Sequence, residues 1–109
     1  MKRKMTRDVS EIVVDRIKSD PALANAVLDE AVTLFLNGEP DTARLALRDL
    51  VNGTVGFERL AIATGTPAKS LHRMLSARGN PSMNNLSTIL VVLGKRLRVK
   101  LSTRSTRAA

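Results

Sequence analysis

The chain has no cysteine, no tryptophan and no tyrosine, and its only aromatic carbocycles are Phe35 and Phe57. Without cysteine there is no disulfide, no thiolate metal site and no cysteine nucleophile. His72 is the single histidine, which excludes a histidine-rich metal centre. The scarcity of rings means that the core must be aliphatic. No apolar run approaches the roughly 20 residues of a membrane span. The opening MKRKMTRDVSE is charged and lacks the apolar stretch of a signal peptide. These absences predict a cytoplasmic protein with no membrane partner and no cofactor.

The second half also lacks acid. Residues 1–52 carry eight Lys/Arg against nine Asp/Glu, whereas residues 53–109 carry ten Lys/Arg against Glu58 alone. The net charge of +8 therefore resides in the second half. Solvated surfaces normally intersperse both signs, so this imbalance points to a polyanionic partner. A length of 109 residues fits one domain with a real core.

Met1 to Arg7 reads as a basic arm. Val9, Ile12, Val13 and Ile17 form one helical stripe, with Asp8 or Ser10 available to cap it. Asp20-Pro21 starts a second helix with an N-cap and a proline at the first position. Asn37-Gly38 ends that helix. Pro40 opens a third, in which Ala43, Ala46, Leu47, Leu50 and Val51 match the amphipathic template, and Asn52-Gly53 ends it. Residues 8–52 thus form an N-terminal helical segment.

Two short helices follow, about Gly56 to Ala63 and Pro67 to Leu75. A turn at Arg78 to Ser82 leads to a sixth helix from Met83 to Leu93, with Gly94 as its stop. Beyond it Leu97, Val99 and Leu101 alternate with Arg96, Arg98 and Lys100, which is strand period. A short C-terminal strand is expected there, paired within the chain, with a second copy or with another protein; a helical continuation is the alternative. Residues 102–109 are small, polar and basic and read as a disordered tail. The expected fold class is all-α, with residues 53–101 forming a second, basic unit.

Phe57 to Leu75 has the grammar of a helix-turn-helix. Ala61 is the small residue needed where the two helices approach, and Gly65 tolerates positive φ in the turn. Leu60, Leu71 and Met74 fall where the helices share a core. Thr66 is placed to cap the second helix, with Pro67 at its first position. Lys69, Ser70, His72 and Arg73 remain as its polar positions, at the end that would enter a major groove and favour phosphate.

The segment FERLAIATGTPAKSLHRMLSARGNPSMNNLSTILVVLG resembles the helix-turn-helix of the Cro/C1 (Xre-like) repressors. Within that group it is most similar to the HigA-like antitoxins, the antidote proteins of addiction modules. The resemblance covers roughly residues 55–101 and rests on Leu60-Ala61, Gly65, Leu71, Leu75, the GNPS turn and the Leu-Gly end of the following helix. It implies that the second helix lies in the major groove, with base-reading positions at Ala68, Lys69 and Arg73 and with His72 beside them. Lys or Arg suits guanine O6/N7, and Ala68 suits a thymine methyl. The resemblance places phosphate contacts at Thr66, Ser70, Arg78, Asn80 and Ser82. Many such repressors carry Gln or Ser at the reading positions, where this chain has Pro67-Ala68-Lys69, so the operator sequence does not follow.

The resemblance further implies a homodimer on a palindromic double-stranded operator and a RelE-like or HigB-like ribonuclease toxin as partner, with joint repression of their operon. A stand-alone Xre-like regulator without a toxin is the alternative. A pure protein-interaction module built on residues 8–52 is a third reading. An enzyme is not expected: Ser70 has no base beside it, and there is no acid–base pair, metal cluster or phosphate loop.

Overall fold

Asp8 and Asp20 start the first two helices in the way their short acceptor side chains allow. In the computed structural model, which describes residues 8–109, the Asp8 carboxylate accepts from the Glu11 amide at 3.0 Å. The Asp20 carboxylate accepts from Leu23 at 3.1 Å. Each satisfies an N-terminal amide that has no helical partner. The basic arm expected at residues 1–7 lies outside the described residues. Ser10, the other capping candidate, instead donates its hydroxyl hydrogen bond to Asp49.

The described residues are all-α and contain no strand. The helices are α1 (Val9–Ser19), α2 (Pro21–Leu36), α3 (Pro40–Gly53), α4 (Phe57–Thr64), α5 (Ala68–Met74) and α6 (Met83–Leu97). No helix among them is long and apolar enough to cross a membrane. Helices α1, α2 and α3 pack on one another, α4 packs on α5 and α6, and α2 and α3 reach α6 and α4. One aliphatic cluster runs through both halves: Leu28, Leu47 and Leu50 meet Leu60, Leu71, Leu75, Ile89 and Leu93. All eight are at most 1% exposed, so the N-terminal segment and the basic half share a core. Where α1 crosses α3, Gly53 leaves no room for a side chain: a Cβ there would lie 2.6 Å from Ile17 Cγ2.

The expected C-terminal strand does not form. Helix α6 runs through Gly94 to Leu97, and residues 99–101 have no regular structure. The Arg98 amide donates to Lys95 O at 3.2 Å, and the Val99 amide to Gly94 O at 2.9 Å. This pair of bonds, with Arg98 in the left-handed region at φ 60°, ψ 41°, is a Schellman C-cap. The chain turns back, and Val99 and Leu101 pack against the core. The alternation that suggested a strand therefore reflects a helix end followed by a returning segment. Gly94 is buried inside the helix rather than ending it, with Val99 O 3.1 Å from where its Cβ would stand.

Arg98 occupies a conformation that disfavours a Cβ. Arg98→Gly should therefore stabilise the protein by about 0.5–1 kcal/mol, the relief of strain being partly offset by unfolded-state entropy. The melting temperature should rise by roughly 3–6 °C. An unchanged or lower value would contradict the assignment of this cap.

Candidate nucleic-acid interface

Helices α4 and α5 are short, so their relative placement depends on the turn between them. Gly65 takes φ 70° there, and the amides of Gly65 and Thr66 both donate to Ala61 O, at 2.9 and 3.2 Å. The positive φ expected of Gly65 is present, and Leu60 and Leu71 are buried beneath the pair. Met74 packs beside them, partly exposed.

The start of α5 differs from expectation. Pro67 stands at the N-cap with ψ 141° rather than at the first helical position, and no side chain caps the helix. Thr66 therefore does not cap α5. An N-cap at Thr66 would require helical ψ at Pro67; with that ψ extended, helical bonding begins one residue later, from the Leu71 amide to Pro67 O at 3.1 Å.

The α5 sequence divides cleanly by burial. Leu71 points into the core, whereas Lys69, His72 and Arg73 are exposed. These three are spaced i, i+3, i+4 and so share one face. Ala68 and Ser70 are half-buried at the margins of that face. The Arg73 guanidinium lies 3.5 Å from Ser70 Oγ, a weak contact that leaves both free to engage a ligand. The His72 ring stacks on Phe57 of α4, with centroids 3.9 Å apart and planes 20° apart. One face of the imidazole is thus committed to holding α5 on α4, and only its other face and edge remain available. Such a ring pair contributes about 0.5–1.5 kcal/mol beyond its buried area.

The chain after α5 carries the remaining predicted positions. Arg78 and Asn80 are exposed and flank Gly79, whose amide donates to Ser76 O at 3.0 Å. Ser82 caps α6, its Oγ accepting from the Asn85 amide at 3.0 Å; its hydroxyl proton remains available for donation. Thr66, half-buried, lies at the opposite end of α5 from Arg78, Asn80 and Ser82. The structure thus presents Lys69, His72 and Arg73 together on a helix, with Arg78 and Asn80 on the loop that follows. Glu58, in the first turn of α4, is the only acid in this half of the chain.

Sequence reasoning missed Arg44. This α3 residue is 6% exposed, the one buried charged side chain among the described residues. Its Nε donates to Ser76 O at 3.1 Å. Its Nη2 donates to Ala77 O at 2.9 Å and to the Asp41 carboxylate at 2.7 Å. A signal was present: position 44 lies i, i+3, i+7 with Leu47 and Val51 on the buried face of α3. The Phe57–His72 stack had no counterpart in local spacing. No group of His, Cys, Asp and Glu among the described residues could hold a metal ion.

Comparison with known proteins found no matching family model, no similar curated protein and no similar solved structure.

Proposed function

We propose that this chain is a sequence-specific DNA-binding transcriptional repressor of Cro/C1 helix-turn-helix type. The observation that carries the reading is the exposed face of α5. Lys69, His72 and Arg73 project from a helix seated by Leu71 and a left-handed Gly65 turn, in a half-chain with a single acid. Lys69 and Arg73 supply the charged donors that read guanine edges, while Arg78 and Asn80 supply phosphate contacts that set position. The short α5 works here as a rigid mount for side chains, since its own amides and dipole are few.

The test is binding of the purified protein to its own upstream DNA and to a scrambled duplex, at two salt concentrations. A preference of ~10³-fold or more surviving physiological salt is expected of a specific regulator. Equal and steeply salt-sensitive binding to both duplexes would reduce the interface to phosphate attraction and overturn the proposal.

The working form in this reading is a homodimer, since one such unit reads few bases and two-fold pairing sets recognition helices about 34 Å apart. Support comes from α6. Its Met83 and Val91 are 79% and 53% exposed, and with Leu86, Leu90, Val99 and Leu101 they line an apolar groove of about 620 Å³. Helix α6 carries no acid, and its only charges, Lys95 and Arg96, sit in the last turn. Antiparallel pairing with a second α6 keeps the basic ends apart and opposes the two helix dipoles favourably. Val91→Glu should leave the protomer folded, because the site is exposed, yet shift the protein toward monomer in sedimentation and weaken operator binding. A dimer of unchanged strength in that variant would place the interface elsewhere.

Within the same proposal, the chain acts as the antitoxin of a type II toxin–antitoxin module, holding a RelE-like or HigB-like toxin and repressing the shared operon. This part rests on the sequence resemblance to HigA-like antitoxins. Copurification with a small ribonuclease-like protein encoded next to it, and relief of that protein's growth inhibition, is the expected result. A neighbourhood encoding no such protein favours the stand-alone Xre-like regulator.

A further inference from the structure

Arg44 lies on α3, yet two of its three hydrogen bonds go to the loop that follows α5. Nε donates to Ser76 O at 3.1 Å and Nη2 to Ala77 O at 2.9 Å. Its third partner, Asp41, is 83% exposed, so that ion pair is screened and weak. The two carbonyl bonds join α3 to a loop more than thirty residues further along the chain, and they determine what Arg44 does. A guanidinium presents its donors in a fixed planar fork. Held by a side chain that is 8% exposed, that fork fixes two successive carbonyls at once. The next residue is Arg78.

The remaining contacts of the loop point the same way. Ser76 is bonded to Arg73 O through both its amide, at 3.2 Å, and its hydroxyl, at 2.7 Å. Gly79 closes the turn onto Ser76 O at 3.0 Å. The loop is therefore tied to the end of α5 on one side and to α3 on the other, and Arg78 and Asn80 project from it into solvent.

We infer that Arg44 is a positioning residue for DNA contact: it sets the loop so that Arg78 meets a phosphate when α5 is seated. The inference rests on the DNA-binding reading above. Arg44 itself touches no DNA, because its charge is buried. Its removal should nevertheless alter the salt dependence of binding, since a phosphate contact made by Arg78 would be lost. In the N-terminal segment, α3 thereby takes part in the alignment of the DNA-contacting loop.

The experiment compares Arg44→Met, Arg44→Lys, Arg78→Ala and the Arg44→Met/Arg78→Ala double variant of the full chain. All are assayed on upstream and scrambled duplexes over a salt series, below the melting temperature of the weakest. Arg44→Met should flatten the logarithmic salt slope by about 0.9, the value of one B-DNA phosphate contact. Arg78→Ala should do the same, and the double variant should flatten it no further, as expected of residues acting as a unit. Lysine at 44, able to donate to the same carbonyls but without the fork, should restore part of the slope. Amide exchange at Gly79 should quicken in Arg44→Met relative to the core amides of α2.

A slope that stays unchanged in Arg44→Met while its melting temperature falls would overturn the inference and leave the DNA reading intact. So would additive losses in the double variant. Failure of the unmodified protein to bind any duplex would overturn both.

Discussion

Gly79→Ala should lower the melting temperature by roughly 10–20 °C, corresponding to about 2–3 kcal/mol of overpacking in a domain of this size. A Cβ at Gly79 would overlap the Met74 carbonyl oxygen and approach Arg73 O and Met74 C at 2.6 Å. All three are backbone atoms at the end of α5, and none can swing aside as a flexible side chain would. Either α5 loses its last turn or the loop moves out, and the loop carries Arg78 and Asn80. Gly79 is not among the glycines with positive φ, so the demand there is for space rather than for a left-handed backbone. Gly38 supplies the contrasting control. Its φ is 81°, and a Cβ there would meet nothing within 4 Å. Gly38→Ala should cost only about 1 kcal/mol, the left-handed penalty. Thermal melts of the two variants separate the causes; a Gly79→Ala protein melting no lower than Gly38→Ala would refute the close-packing argument.

The contrast between these glycines also explains what could be read from the sequence. The helix starts at Asp8, Asp20-Pro21 and Pro40 were legible because capping is local chemistry: a short acceptor or a missing amide proton acts within one turn. Gly65 was legible for the same reason, as a turn between two apolar-patterned helices needs one residue at positive φ. The close approach at Gly79 was not, because it is set by how the chain folds back on α5. Gly94 is the reverse case. It was expected to stop α6, but its lack of a side chain admits the returning Val99, and the helix continues to Leu97. The strand expected at Leu97 to Leu101 failed because period-2 alternation over five residues cannot distinguish a strand from a helix end followed by a C-cap at Arg98. Thr66 failed as a cap because the extended ψ of Pro67 moves the start of α5. In the candidate site, the exposed face of Lys69, His72 and Arg73 followed from the apolar positions of Leu71 and Leu75. The Phe57 stack on His72 and the reach of Arg44 to Ser76 and Ala77 are long-range contacts, beyond any window of periodicity.

The Lys69→Ala/Arg73→Ala double variant should retain the wild-type melting temperature, because both side chains are exposed on α5 and surface substitutions of this kind stay within about 0.5 kcal/mol. Its preference for upstream over scrambled DNA should fall by roughly 10²–10⁴-fold, each base-directed charge being worth about 1–3 kcal/mol of discrimination. The two residues stand one helical turn apart on the same face, so they would meet neighbouring bases and their losses need not add fully. Arg78→Ala should behave differently: affinity should drop about equally on both duplexes, and the salt slope should flatten by about 0.9. The division follows from placement, since a helix face entering a groove reaches base edges while the loop beyond it reaches the backbone. Competition binding with both duplexes over a salt series measures the two signatures together. If all three substitutions weaken operator and scrambled DNA by the same factor, Lys69 and Arg73 are phosphate contacts like Arg78, and α5 does not read sequence.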